Sequence, residues 1–213
     1  MKKIVCFGDS NTYGYNPETG GRYGEDIRWP KVLQKMLGDD YEIIEEGQNG
    51  RTIANADPWE GGTKCGMDYV LPMLETKRPD LLAIMLGSND LKIKFNLPAA
   101  DIAGSLITMI MKIKGYCEHF IGCPDMKILI ISPPALSEPL CESYFSIFFN
   151  TDNAVERSKE LAKLYETVAK EHGCYFLNAT DTVSAGNADH LHLDPEGHAK
   201  MARLVKDCIL KIL

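Results

Sequence analysis

The sequence lacks a surplus of positive charge and long apolar runs, and each absence excludes a class of protein. It has 23 Lys and Arg residues against 30 Asp and Glu residues, a formal net charge of −7, and no basic cluster longer than a pair such as Lys2-Lys3. Nucleic-acid binders need a basic face that neutralises phosphates, so we expect no nucleic-acid partner. No apolar stretch approaches the roughly 20 residues of a membrane-spanning helix, so we expect no membrane partner either.

The sequence also lacks an evident export signal. Only four apolar residues, 4–7, separate the N-terminal lysines from a polar segment, which is too short for the apolar core of a signal peptide. The cysteines number seven, an odd count, and Cys6, Cys174 and Cys208 lie in apolar runs where cysteine acts as a small buried hydrophobe. We therefore expect a cytoplasmic protein with reduced thiols.

Short apolar runs alternate along the chain with segments of helical periodicity. Runs that are apolar throughout are typical of strands covered on both faces of a parallel sheet. The predicted strands are 3–7, 41–44, 80–86, 127–132 and 174–177. The predicted helices are 29–37, 69–74, 99–117, 151–172 and 195–213.

This alternation predicts right-handed βαβ units. We expect one α/β domain over residues 1–213, a three-layer α/β/α doubly wound, flavodoxin-like fold around a five-stranded parallel sheet. Three connections, 8–28, 47–66 and 133–150, are unusually long, and long loops in such domains are often functional. The first two follow strand carboxyl ends, where these sheets bind ligands.

Polar residues follow three of the predicted strands, and another pair precedes the last helix. Ser10 follows the first strand, Gly50 lies in a glycine-rich turn after the second, and Asn89 follows the third. Asp189 and His192 stand just before the last helix. Because parallel strands end at one edge of the sheet, these groups are expected to converge there. Together they supply the nucleophile, hydrogen-bond donors, base and orienting acid that acyl transfer needs.

These segments, in this order, resemble the sequence blocks of the SGNH hydrolases, also called GDSL esterases and lipases. They read FGDSNTYG around Ser10, EGQNGRT around Gly50, GSND around Asn89, and DHLH from Asp189 to His192. The segments DIRW and MLGSNDLK are similar to a bacterial arylesterase/acyltransferase branch that acts on small esters. The resemblance spans nearly the whole chain.

The resemblance implies a serine esterase of short-chain, acetyl-type esters, with acyl transfer to alcohols as a further activity. Ser10 is the implied nucleophile, His192 the base, and Asp189 the acid that holds the imidazole. The backbone N–H groups of Ser10 and Gly50 and the side-chain amide of Asn89 are the implied oxyanion donors. No metal or other cofactor is required. The expected partners are a small-molecule ester and, as in the related branch, further copies of the chain.

The substrate pocket is predicted with less detail. Asn11 stands where the family usually has Leu or Ile, and we expect it to shape the acyl pocket. Tyr13 and Trp29 of the first long loop, and Phe145 and Phe149 of the aromatic segment 143–149, are the other candidates. That aromatic segment fits a pocket wall and a core or subunit interface equally well.

Other functions remain open at this stage. A carbohydrate O-acetyl esterase fits the same residues, since many relatives remove acetyl groups from sugars. A flavodoxin-like module that binds phosphate or flavin fits the polar residues after the first strand, but it gives the D-x-x-H pair no purpose.

Several residues of the proposed site also have a structural interpretation or a competitor. Ser10 alone is typical of a turn in which the hydroxyl bonds a backbone N–H. His190 and His198 compete with His192, although His198 lies inside the predicted last helix. Asp194 competes with Asp189 but is better placed as the N-cap of that helix.

Overall fold

Strands alternate with helices in the computed structural model, which describes residues 1–62, 64–149 and 151–213. In chain order the elements are β1 (Lys2–Gly8), α1 (Ser10–Tyr13), α2 (Trp29–Leu37), β2 (Tyr41–Gly47), α3 (Gly66–Lys77), β3 (Leu81–Met85), α4 (Ala99–Tyr116), β4 (Lys127–Ser132), α5 (Thr151–Glu171), β5 (Tyr175–Asn178) and α6 (Pro195–Ile212). Short 3₁₀ turns lie between them at Pro58–Glu60, Asn89–Leu91, Glu138–Glu142 and Tyr144–Phe148.

The strands form one parallel sheet in the order β2-β1-β3-β4-β5. Residues of β3 are buried throughout, as expected for a central strand covered on both faces. One apolar core contains residues of α3, α4 and α5, and a second contains residues of α2 and α6, so helices cover both sides of the sheet. The predicted three-layer α/β/α fold is confirmed.

The helices begin and end where local chemistry dictates. Helix α6 starts at Pro195, whose missing N–H needs no partner in the first turn, and Asp194 Oδ1 accepts a 2.7 Å hydrogen bond from the N–H of Gly197. Helix α2 ends at Leu37 and is followed by Gly38, which has a positive φ of 72°. No helix among the described residues has the length and apolar character needed to cross a bilayer.

Several predicted segments were shorter than the observed elements, most clearly that of α3, which was predicted over 69–74. The helix covers Gly66–Lys77 and continues through Pro72, although proline removes a backbone hydrogen bond. Burial of Val70, Met73 and Leu74 against the core holds the turns on both sides of this proline. Helix α1 was not predicted, because four residues are too few to show a period.

The register of the three neighbouring strands β2, β1 and β3 positions their carboxyl ends. Gly8 at the end of β1 is level with Gly47 of β2 and with Met85 of β3. A Cβ on Gly47 would overlap the backbone of Tyr13, so the end of β2 packs directly on α1. The loops that follow these strands therefore start side by side.

The cap of α6 leads to a test of stability. We expect Asp194→Ala to lower the free energy of unfolding by about 1 kcal/mol, because the N–H of Gly197 loses its acceptor. Urea denaturation measures the effect. Glu196→Ala, which removes an exposed carboxylate in the same turn, is the control and should change the free energy less. Equal losses in the two variants would contradict the capping role.

Candidate active site

Ser10, His192 and Asp189 form a chain of hydrogen bonds at the carboxyl edge of the sheet. Ser10 Oγ lies 2.9 Å from His192 Nε2, and His192 Nδ1 lies 2.6 Å from Asp189 Oδ2. The three residues are less than one-tenth exposed. This geometry places a base against a hydroxyl and an acid behind the base, which is the arrangement that activates a serine.

Asp189 is held as a carboxylate. Burial opposes its charge, but the hydrogen bond and charge of His192 and the N–H groups of His192 and Leu191 outweigh burial and place its pKa below the ordinary value. Its Oδ1 accepts those N–H groups at 2.8 and 3.0 Å. An ionised Asp189 keeps the proton of the imidazole on Nδ1, so Nε2 is free to accept the proton of Ser10.

The short helix α1 presents Ser10. Asp9 caps this helix, with its Oδ1 accepting the N–H of Asn11 at 3.0 Å, and Gly14 ends it with φ of 83°. Asp9 is buried, and burial raises its pKa to about 6 although the N–H of Asn11 and the charges of His192 and Arg51 oppose that rise.

Gly50 and Asn89 lie beside Ser10 in the same cavity. Gly50 has φ of 77°, a conformation that glycine adopts at little cost, and a Cβ there would overlap the Glu60 carboxylate. Asn89 Nδ2 donates to the carbonyl oxygen of Arg51 at 3.1 Å, which fixes the side-chain amide next to the Gly50 turn. Gly50 and the Asn89 side chain thus line the same cavity as the serine.

Buried polar groups hold the turn that carries Gly50. Arg51 Nη1 donates to the carbonyl oxygen of Gly8 at 2.9 Å and to that of Glu46, and its guanidinium lies 4.3 Å from the ring centroid of Phe7. These contacts tie the turn after β2 to the end of β1. The turn is therefore fixed to the sheet from which Ser10 emerges.

Asp90, next to Asn89, is fully buried. It holds the part of the loop after β2 that follows Arg51. Both of its carboxyl oxygens lie 3.1 Å from the N–H of Ile53, and Oδ1 accepts a bond from Asn55 Nδ2 at 3.4 Å. Burial raises the pKa of Asp90 to about 7 despite these donors.

The cavity has a volume of about 380 Å³. Aromatic rings form one side of it, and two of them pack on the imidazole: the centroids of Tyr15 and Phe145 lie 4.5 and 5.3 Å from that of His192. These rings restrict rotation of the imidazole. The aromatic and apolar lining residues are Tyr15, Trp59, Tyr144, Phe145, Phe148, Phe149 and Leu191.

Part of the cavity lining is charged, and Lys92 adjoins the aromatic segment through a backbone bridge to Phe149. Glu60, Lys92 and Lys94 line the cavity, and Asp57 lies fully buried beneath them. Lys92 Nζ is 3.3 Å from Asp57 Oδ2 and also pairs with Glu60, while Lys94 pairs with Asp57 Oδ1. Burial opposes the charge of Asp57, but the two lysines place its pKa below the ordinary value. We name these four residues the charged wall.

The sequence did not single out the charged wall. Its members pair across 32 to 37 positions of the chain, and the spacing of charges in the sequence does not reveal such contacts. The available signals were the unusual length of the loop 47–66, which contains Asp57 and Glu60, and the position of Lys92 just after the GSND segment.

A comparison with known families identifies the protein class. A model described as the GDSL-like lipase/acylhydrolase family matches residues 6–200. The chain belongs to this family. The chain is thus a carboxylic ester hydrolase, and the predicted resemblance to the SGNH hydrolases is confirmed.

Solved structures and a curated sequence that are similar to this GDSL-family hydrolase are named as esterases. Est24, a carbohydrate acetylesterase from Sinorhizobium meliloti, is 31% identical with a TM-score of 0.92 and full coverage of both chains. The inhibitor-bound aryl esterase of M. smegmatis is 30% identical with a TM-score of 0.91, again over both whole chains. An acetylxylan esterase from Xylanibacter ruminicola is 24% identical over 97% of this chain but only 43% of its own length. The chain thus spans less than half of that curated relative.

Two of the five predicted pocket residues of this GDSL-family hydrolase line the cavity, and the other three lie elsewhere. Phe145 and Phe149 line it. Trp29, the first residue of α2, does not, because it is 1% exposed in the core that contains residues of α2 and α6. Tyr13 lies elsewhere: the guanidinium carbon of Arg22 is 4.4 Å from the centroid of the Tyr13 ring. Asn11 is buried behind the serine with its side chain on the backbone of the histidine loop, so its assignment to the acyl pocket was wrong.

The competing residues are occupied elsewhere. His198 is fully buried in α6, its Nδ1 accepts the N–H of Trp29 at 3.3 Å, and burial lowers its pKa to about 4. His190 has a positive φ of 62° in the loop before Leu191, and its carbonyl oxygen accepts the N–H of Ser137 at 3.3 Å. Asp194 caps α6.

The raised pKa of Asp90 predicts a pH dependence of stability. Between about pH 4 and 7 the folded chain keeps a proton on Asp90 that the unfolded chain releases, so this group stabilises the fold at low pH and that stabilisation is lost as the pH rises to about 7. We expect Asp90→Asn to gain stability relative to the wild type over this range, on the order of 1 kcal/mol per pH unit. Urea denaturation at each pH measures the difference.

Asp39→Asn, which alters an exposed carboxylate, serves as the control for that series and should follow the wild-type profile. Parallel profiles for the wild type and Asp90→Asn, whatever their absolute stabilities, would contradict the assignment.

Proposed function

We propose that this hydrolase cleaves short-chain, acetyl-type esters through an acyl-enzyme formed on Ser10. The observation that carries the proposal is the continuous hydrogen-bonded chain from Ser10 Oγ through the imidazole of His192 to Asp189, which opens into a cavity that also contains Gly50 and Asn89. Nucleophile, base, acid and oxyanion donors are thus all within one site.

In the acylation step, Ser10 Oγ bonds to the ester carbonyl carbon while His192 Nε2 takes the hydroxyl proton. The carbonyl oxygen becomes an oxyanion, which accepts hydrogen bonds from the N–H groups of Ser10 and Gly50 and from the Asn89 amide; one such donor contributes about 2.7–4 kcal/mol to lowering the barrier. The C–O bond to the leaving alcohol then breaks, and His192 gives its proton to the alcohol oxygen. Asp189 stabilises the imidazolium in between.

In the deacylation step, water enters and His192 Nε2 takes one of its protons as the water oxygen bonds to the acyl carbon. The bond to Ser10 Oγ breaks, the proton returns to that oxygen, and the carboxylic acid leaves. An alcohol in place of water gives a new ester by the same steps, which is acyl transfer. The rings of Tyr15 and Phe145 beside the imidazole favour such an alcohol over water by making that side of the cavity apolar.

The size of the cavity supports a small acyl group. Its volume of about 380 Å³ has to accept both the acyl chain and the alcohol, and it lies toward the lower end of the roughly 300–1,000 Å³ found for small-molecule sites. Phe148 and Phe149 occupy part of the lining on the aromatic side. A long acyl chain would extend beyond these rings.

The nucleophile is tested by Ser10→Ala. We expect ester turnover to fall at least 1,000-fold, on the order seen when a serine triad loses its nucleophile, while the unfolding midpoint stays near that of the wild type. Labelling of the wild type with a fluorophosphonate, located by mass spectrometry, should modify Ser10 alone. Turnover by Ser10→Ala near the wild-type rate, or labelling at another serine, would refute the mechanism.

A carbohydrate O-acetyl esterase is a second candidate, and the polar side of the cavity favours it. Trp59 is 76% exposed at the mouth, and Lys94 Nζ lies 4.7 Å from its ring centroid. An exposed indole next to charged hydrogen-bonding groups is suited to the apolar face and the hydroxyls of a sugar. The names of Est24 and the acetylxylan esterase are consistent with this reading.

Substrate series distinguish these candidates. Acetate, butyrate and octanoate esters of one phenol should show falling kcat/KM, by roughly tenfold or more for octanoate, because the cavity is small. Acetylated xylo-oligosaccharides measure the carbohydrate activity. Trp59→Ala should raise KM for the oligosaccharides and leave phenyl acetate nearly unchanged. A preference for octanoate would overturn the short-chain proposal, and an equal effect of Trp59→Ala on both substrates would overturn the carbohydrate one.

A further inference from the structure

The side chain of Asn11 connects the serine segment to the histidine segment without touching the cavity. Asn11 follows Ser10 in α1 and is 3% exposed. Its Oδ1 accepts the N–H of Leu193 at 2.9 Å, and its Nδ2 donates to the carbonyl oxygen of Leu191 at 3.3 Å. The two backbone groups that it bonds lie immediately before and immediately after His192.

The peptide units around His192 are therefore held from two sides. Asp189 Oδ1 accepts the N–H groups of Leu191 and His192, which sets the turn within the loop. Asn11 bonds the carbonyl oxygen of Leu191 and the N–H of Leu193, which sets the loop against α1. A carboxamide carries a donor and an acceptor in fixed geometry, so one side chain satisfies both groups.

The two hydrogen bonds of Asn11 bear on the distance between Ser10 Oγ and His192 Nε2, on which the proposed reaction depends. Ser10 and His192 are 182 residues apart in sequence, and Ser10 Oγ lies 2.9 Å from His192 Nε2. Asn11 shares the first turn of α1 with Ser10, so its two hydrogen bonds oppose a shift of the histidine loop relative to α1. A leucine or isoleucine at position 11 makes neither bond.

We propose that Asn11 is a positioning residue for the esterase reaction, which fixes His192 Nε2 within hydrogen-bonding distance of Ser10 Oγ. The proposal rests on the proposed function of Ser10 and His192 as nucleophile and base. It assigns Asn11 no contact with substrate, since its side chain faces the backbone of residues 191–193 and is absent from the cavity lining.

The test compares Asn11→Leu with Thr12→Val. Thr12 is the next residue of α1, is fully buried, and its hydroxyl has no hydrogen-bonding partner among the described residues, so Thr12→Val is a matched control of similar shape. We expect Asn11→Leu to lower kcat for phenyl acetate roughly 10- to 100-fold with KM within about twofold, because a displacement of about 1 Å costs that much in rate. Thr12→Val should keep both constants.

Two further measurements separate positioning from loss of structure. The rate of fluorophosphonate labelling at Ser10 should fall in parallel with kcat in Asn11→Leu and stay unchanged in Thr12→Val. The low-field proton resonance of the 2.6 Å hydrogen bond between His192 and Asp189 should shift or broaden in Asn11→Leu alone. If Asn11→Leu does not fold, Asn11→Ala removes both hydrogen bonds without placing a larger apolar side chain against the loop backbone, and the same loss of kcat is expected.

Some results would overturn the proposal. A folded Asn11→Leu with wild-type kcat, or one with raised KM and unchanged kcat, refutes a positioning role, and the second outcome returns Asn11 to the substrate pocket. Both outcomes leave the nucleophile test intact: Ser10→Ala still has to abolish turnover if the proposed function holds. Full turnover by Ser10→Ala would instead refute the proposed function itself.

Discussion

The level at which three neighbouring strands end is the constraint on which the rest of the site depends. Gly8 of β1 pairs with Gly47 of β2 and with the last residue of β3, so three segments leave the sheet at one height. Ser10, Gly50 and Asn89 follow these ends by two to four residues. Glycines at the ends of β1 and β2 allow the close approach, since a side chain on Gly47 would overlap α1. The backbone pairing of the strands thus places the loops that carry the proposed site side by side.

The sequence was sufficient to predict the fold and the groups that meet at this edge, because both depend on order along the chain. Fully apolar runs indicate central strands, and parallel strands place Ser10, Asn89 and the Asp189–His192 loop at the same edge. The direction of a side chain within a loop depends on tertiary contacts. Trp29 and Asn11 are near the serine in sequence, yet one packs in the core and the other bonds the histidine loop.

The ion pairs of the charged wall could not be predicted from the sequence either, because they also depend on tertiary contacts. Buried charges are costly unless they are paired, and Asp57 is surrounded by Lys92 and Lys94 from a different loop. Such pairing is decided by how loop 47–66 folds over the turn that follows β3. The outcome is a cavity whose lining combines aromatic rings with paired charged side chains.

The distance in sequence between Ser10 and His192 has a consequence for how the protein is made. During translation Ser10 leaves the ribosome 182 residues before its imidazole partner, and the four strands β2 to β5 are synthesised in that interval. The nascent chain therefore carries a hydroxyl with no neighbouring base. The pair of Ser10 and His192 forms only when the loop before α6 docks on α1. By then all five strands of the sheet have been synthesised.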